Sequence, residues 1–149
     1  MEEIKVATET AQYIVVRLGK EQYGIDIKYI DNIVRKQHIT RVPKLAPYMK
    51  GVINLRGEVI PIMSLKLKMS LDLDEESKTT RIIIVKLDQH GTIGMIVDEV
   101  KEVVTLDIAK QVEKLAFDKD DKNNFIFGVG KYDGGLISLL DLNLVVQGK

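Results

Sequence analysis

The sequence predicts an all-β fold with a few short helices. Runs rich in β-branched residues recur along the whole chain, and short breaks containing Gly, Asn or Asp separate them. Long helical patterns are missing, and all the prolines, Pro43, Pro47 and Pro61, fall in one stretch of the first half. These three observations are typical of a loop-rich β architecture.

Eight segments have the composition of strands. Val and Ile dominate most of them, and branched side chains pack well on a pleated sheet. In chain order, the predicted strands are 13–18, 23–27, 51–55, 58–65, 81–87, 92–97, 125–132 and 135–140. Helices are predicted at 107–115 and 141–146, where the pattern changes to helical spacing.

The second half of the chain repeats the pattern of the first half. The matching pairs are 14–18 with 83–87, 24–34 with 94–104, and 51–65 with 128–142. The last pair aligns without a gap and has five identical positions. The middle pair aligns Ile30 with Val100 and Ile33 with Val103. We therefore predict two related structural units.

The repeat also predicts the domain organisation. An acidic, polar stretch at 70–79 joins the two copies. A unit of roughly 60 to 70 residues with about five short strands has the size of a small SH3-like barrel, and two such units would fill the chain. We predict one domain over 1–149, with a pseudo-repeat of about 10–68 and 80–146 as two SH3-like subdomains.

Arg56 and Gly57 interrupt the almost wholly apolar segment 51–65. In the second copy the same two positions are Asp133 and Gly134. Asp-Gly is a common signal for a two-residue hairpin turn, because glycine supplies φ > 0 without steric cost. The repeat therefore predicts that the turn needs Gly57 and is indifferent to the residue before it. Arg56 is either free for a functional role or a solvated turn cation.

Charge balance and the lack of cysteine narrow the class of protein. Lys plus Arg and Asp plus Glu number 22 each, so no net field attracts nucleic acid or an anionic membrane. Without cysteine, disulfides and thiolate chemistry are excluded. The charged N-terminus does not read as a signal peptide, and no run approaches the roughly 18 apolar residues of a membrane span. We expect a cytoplasmic protein with no nucleic-acid partner and no direct membrane insertion.

The sequence offers no recognisable catalytic or metal-binding group of residues. His38 and His90 are the two histidines, and neither is flanked by a candidate nucleophile. The acidic run at 118–124 departs from the calcium-binding EF-hand loop at several required positions. The glycines of 128–134 miss the dinucleotide-binding spacing by one residue. We therefore predict no enzyme activity, no metal site and no cofactor.

Four segments carry a resemblance to a known family. They are 21–33, 42–65, 94–106 and 135–146, and the most specific element is the run G-V-x-N-L-R-G-x-V-I-P that begins at Gly51. Apolar patterning alone does not demand Asn-Leu-Arg-Gly followed by a proline within a strand. From about residue 10 to 147, the chain resembles the CheW family of chemotaxis coupling proteins.

The resemblance implies both a fold and a function. Family members have two intertwined five-stranded SH3-like barrels, in agreement with the repeat. The implied function is a non-enzymatic adaptor that joins the cytoplasmic helical tip of methyl-accepting chemoreceptors to the regulatory domain of the histidine kinase CheA. Such an adaptor is cytoplasmic, reaches the membrane through the chemoreceptors, and is expected to be a monomer in isolation. The alternative is an SH3-like binding module for a small molecule or nucleic acid, without a kinase partner.

One departure from the family pattern lies at the end of the first hairpin segment. Met63 and Ser64 stand where the resemblance leads us to expect valine and aspartate. Serine also caps helices, so a short helix is still expected to follow Ser64. No binding residue is affected.

The strands at 13–18 and 81–87 are apolar on both faces, whereas a small barrel buries one face of each strand. Either the two barrels cover each other, or part of the surplus apolar surface binds a partner. The segments 27–34 and 97–104 each place apolar side chains three or four residues apart. If these two stripes face each other, they form a groove lined by Ile30, Ile33, Val100 and Val103. Such a groove would accept a helix through spaced apolar anchors.

Candidate residues can be assigned to each implied partner. The receptor-binding candidates, from the resemblance and the predicted groove, are Ile30, Ile33, Arg56, Ile82, Val100 and Val103. Arg56 would hold a receptor carboxylate or carbonyl through forked hydrogen bonds that lysine cannot reproduce. For the kinase, the resemblance implies Phe117, whose alternative is packing onto the core. Lys50, next to the hairpin, is a further kinase-binding candidate.

Overall fold

The structure is a computed structural model that describes residues 9–71, 77–115, 125–133 and 135–147. The strands are β1 (Thr10–Leu18), β2 (Glu21–Asp26), β3 (Ile30–Arg35), β4 (Met49–Leu55), β5 (Glu58–Ser64), β6 (Arg81–Leu87), β7 (Gly91–Val97), β8 (Glu99–Asp107), β9 (Val112–Lys114), β10 (Ile126–Tyr132) and β11 (Gly135–Leu140). The helices are α1 (Leu65–Lys68), α2 (Ile108–Gln111) and α3 (Leu142–Gln147), and a 3-10 turn at Ile27–Tyr29 precedes β3. None of the helices in the described ranges is long and apolar enough to cross a lipid bilayer.

Every strand predicted from the sequence is present, and β3, β8 and β9 go beyond the prediction. The tail helix predicted at 141–146 is confirmed as α3. The helix predicted over 107–115 is wrong beyond Gln111, because the chain enters β9 at Val112. There Glu113 lies opposite Val129 of β10. Pairing with a neighbouring strand outweighs the weak local preference for helix.

The strands form two sheets that combine both halves of the chain. The first sheet has the order β8-β1-β2-β11-β10-β9, and the second has the order β3-β6-β7-β5-β4. Neighbours are antiparallel except for β2 with β11 and β5 with β7, which are parallel. Each sheet therefore takes two strands from one half of the chain and the remaining strands from the other half. This is the predicted fold class of two intertwined SH3-like barrels, with β9 as a sixth strand on one of them.

The repeat seen in the sequence is also present in the strand order. Within the first half the strands are numbered one to five as β1 to β5, and within the second half as β6, β7, β8, β10 and β11. In these numbers, both sheets have the strand order three, one, two, five, four. At the place that β9 takes in the first sheet, the second sheet has an isolated bridge between Thr40 and Val52. These two residues exchange backbone hydrogen bonds of 2.8 and 2.9 Å. The subdomain boundaries at 10–68 and 80–146 stay a prediction, since each sheet draws on both segments.

Apolar side chains hold the two barrels together. Each sheet encloses its own cluster, with Val15 in the first barrel and Ile84 in the second. A larger cluster, which we call the central core, lies between the sheets and contains residues of both, such as Val16 and Ile83. Fully burying one such side chain stabilises a fold by about 1.5–3 kcal/mol. The central core therefore makes the two barrels one structural unit.

A buried ion pair joins α1 to Asp98, the residue between β7 and β8. The Lys66 Nζ atom lies 3.2 Å from Asp98 Oδ2, and the N–H of Gly19 donates a hydrogen bond of 2.7 Å to the same oxygen. Both charged side chains are buried, and removing Asp98 would leave the Lys66 ammonium without its partner, whereas Asp98 also has Arg17 Nη1 at 3.8 Å. The helix itself begins at Ser64, whose Oγ accepts a hydrogen bond of 3.2 Å from the N–H of Leu67. This confirms the expected serine cap.

Candidate functional site

The predicted groove residues of the first half lie on β3, an edge strand of the second sheet. Ile30 pairs with Val85 and Ile33 pairs with Ile83, and the register shifts after Ile30. Asp31 is therefore the extra residue of a β-bulge, which keeps side chains three residues apart on one face. Because Val85 and Ile83 belong to the central core, Ile30 and Ile33 lie on the face that covers this core.

The strand β8 repeats this arrangement at the edge of the first sheet. Val100 pairs with Val16 and Val103 pairs with Ile14, and Lys101 is the extra residue of the bulge. Val16 and Ile14 also belong to the central core. Three-residue spacing, which in the sequence resembles a helical stripe, is here the spacing of two bulged strands. We call these two strand-edge positions, Ile30 with Ile33 on β3 and Val100 with Val103 on β8, the rim.

The four rim residues differ in exposure. Ile30, Ile33 and Val100 are half-buried and pack against the central core, whereas Val103 is 55% exposed. Side chains of the central core lie between the sheets and include residues of both. The two barrels cover each other there, as one of the two sequence alternatives expects. The rim is one apolar surface left for a partner.

Ile82 lies inside the second barrel. It is 2% exposed and belongs to the cluster that also contains Ile84 and Ile96. In this conformation a partner cannot touch the Ile82 side chain. A substitution at Ile82 would therefore act on binding through the packing of β6.

Arg56 and Gly57 form the two-residue turn between β4 and β5. Their φ angles are 55° and 83°, and Leu55 pairs with Glu58, which is the pattern of a type I′ hairpin. Both turn positions need φ > 0, so the expectation that only Gly57 is constrained is wrong. A left-handed conformation costs a residue with a Cβ atom about 1 kcal/mol. Asparagine, aspartate or glycine would fit position 56 better than arginine.

The Arg56 side chain is exposed at the tip of this hairpin. Within the described part of the chain, its guanidinium has no hydrogen bond and no ion pair. The turn is held by Asn54, whose Oδ1 accepts a hydrogen bond of 3.1 Å from the N–H of Gly57. The run Asn-Leu-Arg-Gly thus has a physical explanation: Asn54 fastens the turn, Gly57 permits it, and Arg56 extends into solvent.

An apolar strip lies on the outer face of the same hairpin. Val59 is 62% exposed opposite Asn54, and Pro61, next on this face, is also exposed. Ile60 and Ile62 alternate with them and are buried inside the second barrel. Sequence reasoning missed Val59, although alternation with two buried isoleucines is the signal that places it outside. The tip therefore combines an exposed guanidinium with an adjoining apolar strip.

The two kinase-binding candidates have different positions. Lys50 is half-buried in β4, where it is the extra residue of a bulge between Met49 and Gly51. Together with the loop at 41–47 it lines a cleft of about 440 Å³. Phe117 lies outside the described residues.

Two buried tyrosines, Tyr13 and Tyr23, have raised pKa values. No group of three or more His, Asp or Glu side chains in these ranges could hold a metal ion. Burial raises the pKa of the Tyr13 hydroxyl, and the nearby Asp26 carboxylate raises it further. Burial and then Glu21 raise the pKa of Tyr23 in the same way. Both hydroxyls are therefore protonated at neutral pH.

Two intertwined barrels with an apolar rim and an exposed cation beside an apolar strip have the features of a protein-binding scaffold. Comparison with known families identifies the family to which the chain belongs. The family model of the CheW-like domain matches residues 12–149, and the chain belongs to this family. It is accordingly a chemotaxis adaptor of signal transduction.

Individual relatives agree with this assignment. The chain is 34% identical over 142 residues to the chemotaxis protein CheW of Helicobacter pylori. This alignment covers 93% of the present chain and 83% of the relative. It is 32% identical over 134 residues to the chemotaxis protein CheW of Bacillus subtilis, covering 90% and 85% of the two chains. Among solved structures, the scaffolding protein TtCheW from Thermoanaerobacter tengcongensis superposes with a TM-score of 0.82 at 31% identity, over 92% of each chain.

Proposed function

We propose that this chain is a non-enzymatic, cytoplasmic adaptor that couples the helical tips of methyl-accepting chemoreceptors to the regulatory domain of the histidine kinase CheA. It is brought to the membrane by the receptors and uses no cofactor. Its membership of the CheW-like family supports the proposal. An adaptor of this kind needs two separate surfaces, because it has to hold both partners at once.

The conformation of Arg56 is the observation that carries the proposal. An exposed arginine with φ of 55° is less stable than asparagine or glycine would be there, by about 1 kcal/mol. Backbone strain of this kind is concentrated at functional sites. The planar guanidinium offers five N–H donors in a fixed fork, which suits a carboxylate or a backbone carbonyl of a receptor helix.

Apolar contacts to the receptor come from the rim and from the strip beside Arg56. A receptor helix presents apolar side chains three or four residues apart, and exposed aliphatic side chains can serve as its docking points. Val103 and Val59 are the most exposed of these candidates, at 55% and 62%. The half-buried Ile30, Ile33 and Val100 supply the surrounding surface, and Ile82 supports the second barrel from within.

The kinase contact is assigned to Lys50 and Phe117. Lys50 lies on a bulge of β4, beside the loop at 41–47. Bulges disturb the regular edge of a strand and present the extra side chain to neighbours. A cation at this place suits a kinase surface that carries carboxylates.

Separate titrations of the two partners test the proposal. The labelled chain is titrated with a chemoreceptor cytoplasmic fragment, and in a second experiment with the CheA regulatory domain, while fluorescence anisotropy is recorded. We expect Val103→Glu to weaken receptor binding by about 2 kcal/mol, roughly 30-fold, and to leave kinase binding unchanged. Lys50→Glu should have the opposite selectivity.

The outcomes of these titrations decide between the coupling function and an SH3-like module for another ligand. An unchanged receptor Kd for Val103→Glu would remove the rim from the receptor surface. Absence of binding in both titrations would refute the coupling function and favour an SH3-like module for another ligand. Circular dichroism melts of both variants serve as the control, since substitutions at the accessible edge of a sheet should leave the fold intact.

A further inference from the structure

Positive charge is concentrated in one stretch of the chain. Residues 32–57 contain six Lys and Arg and no Asp or Glu, although the whole chain has 22 of each kind of charge. All the carboxylates therefore lie in the remaining residues, which are net acidic by six charges. Such segregation creates a local positive field on a molecule that has no net charge.

The loop at 41–47 is the most exposed part of this stretch, and every residue in it is exposed. Hydrogen bonds fasten it at both ends. Before the loop, Thr40 exchanges two backbone hydrogen bonds with Val52. After it, the carbonyl of Tyr48 accepts a hydrogen bond of 2.8 Å from the N–H of Ser64. A loop anchored in this way loses little conformational freedom when it binds a partner.

Cations and aliphatic side chains share the cleft formed by this loop. Arg41, Lys44 and Lys50 line it, and none of them lies within ion-pair distance of a carboxylate in the described ranges. Val42 and Leu45 also line the cleft and are 40% and 41% exposed. Exposed aliphatic side chains next to such cations are a surface for which the chain itself has no internal use.

We propose that this basic loop, residues 41–47 with Lys50, binds an acidic amphipathic segment of a partner protein. Carboxylates of that segment pair with Arg41, Lys44 and Lys50, and its apolar side chains cover Val42 and Leu45. Lys50 also belongs to the proposed kinase contact, but this inference does not depend on the identity of the partner.

A peptide segment fits this surface better than a bilayer or a nucleic acid does. The basic loop is short, and the rest of the chain is net acidic. An extended polyanion gains its affinity by neutralising many charges along its length, whereas a single segment needs only the few cations of the loop. Nucleic acid also favours aromatic side chains for stacking, and residues 41–47 contain none.

A charge-reversed variant and a pair of synthetic peptides test the proposal. The probe is a fluorescently labelled peptide of Glu-Glu-Leu repeats, and its control is the matching peptide of Gln-Gln-Leu repeats. We expect the chain to bind the Glu peptide and not the Gln peptide, and added salt to weaken this binding. The double variant Arg41→Glu/Lys44→Glu should lose affinity for the Glu peptide by about tenfold or more.

The matched control is Lys20→Glu/Lys131→Glu, which makes the same change in net charge at two other exposed positions. This control should retain the affinity of the natural chain. Equal losses in both double variants would overturn the proposal, since they would reflect net charge alone. So would binding of phosphatidylglycerol vesicles or of single-stranded DNA without binding of the Glu peptide. Because the probe contains no kinase or receptor, failure here is distinguishable from failure of the coupling function.

Discussion

The first hairpin, β4–β5, and the second hairpin, β10–β11, share a frame of matching strand pairing and bulge position. Each has a bulge at the corresponding place, formed by Lys50 in one and Phe127 in the other. Each also exposes one aliphatic side chain on its outer face, with Val59 at 62% and Leu136 at 60%. The frame is therefore repeated in detail, including features that a chance match of apolar residues would not produce.

The tips of the two hairpins carry opposite charges. The first has Arg56, and the second has Asp133 at the corresponding position. Asn54, which fastens the first turn, corresponds to Lys131. Since one frame accepts either charge, the frame cannot be the reason for an arginine at position 56. The difference teaches that the strand frame accepts either charge, and that Arg56, despite its unfavourable left-handed conformation, has a guanidinium available for binding.

Substitutions that break the frame should have the largest effect, which is on the free energy of unfolding. This effect should differ between the two hairpins. Gly51 has φ of 135°, and a Cβ atom there would collide with the backbone carbonyl of Thr40. At the corresponding Gly128, the nearest atom to such a Cβ would be the carbonyl oxygen of Glu113, at 2.9 Å. We expect Gly51→Ala to lower the free energy of unfolding by about 3 kcal/mol, and Gly128→Ala by about 1–2 kcal/mol. Urea denaturation measures both, and equal losses would contradict the difference between the two sites.

Exchanging the two tip charges should have the next largest effect, which is on the affinity for the receptor fragment. The double variant Arg56→Asp/Asp133→Arg keeps the net charge of the chain. We expect it to lose about 2 kcal/mol of receptor-fragment binding, roughly 30-fold, because the cation is then on the wrong hairpin. Asp133→Arg alone should bind like the natural chain. Recovery of binding in the exchanged variant would show that either tip can serve the receptor.

The outer faces of the hairpins give a smaller contrast. Val59→Ser should weaken receptor-fragment binding by about 1 kcal/mol, because apolar surface is removed from the contact. Leu136→Ser removes a similarly exposed side chain from the second hairpin and should leave that affinity unchanged. Anisotropy titrations of the two variants make the comparison. An equal effect of both would place the receptor on a surface that includes both hairpins.

The smallest expected effect concerns the stability of the turns. Asn54→Ala removes the hydrogen bond to Gly57 and should lower the free energy of unfolding by about 1 kcal/mol. Lys131→Ala at the corresponding position should change it by less than about 0.5 kcal/mol, since Lys131 is exposed. Urea denaturation again provides the measurement. A loss at Lys131 as large as that at Asn54 would mean that the turn hydrogen bond is not the cause.

Much of the fold can be predicted from the sequence, because composition and repeat act locally. Strands with unbroken β-branched runs, such as β1 and β6, follow directly from that composition. The edge strands β3 and β8 could not be recognised, because one bulged residue in each changes the apolar spacing from two to three. The short β9 depends on pairing with β10, which is distant information that a local pattern does not contain.

The candidate site was less accessible to sequence reasoning. The repeat isolates Arg56 as a residue that the frame does not require, but only the φ angle shows that arginine is strained there. The groove stays a prediction, since Ile83, Val16 and their neighbours pack between the barrels while the predicted lining residues lie on two sheet edges. Ile82 and Val103 are both β-branched aliphatic residues within strands, yet Ile82 is buried and Val103 is exposed. Face and edge position decide that difference, and both depend on pairing with other strands.

Arg56→Asn tests the central claim most directly, because it separates the turn from the guanidinium. Asparagine adopts the left-handed conformation readily and keeps the type I′ turn, but it cannot form forked hydrogen bonds. We predict that the Tm rises by about 2–4 °C while the affinity for the receptor fragment falls roughly 30-fold. A variant that gains stability and still binds the receptor fragment with unchanged Kd would contradict the assignment of Arg56 to the receptor.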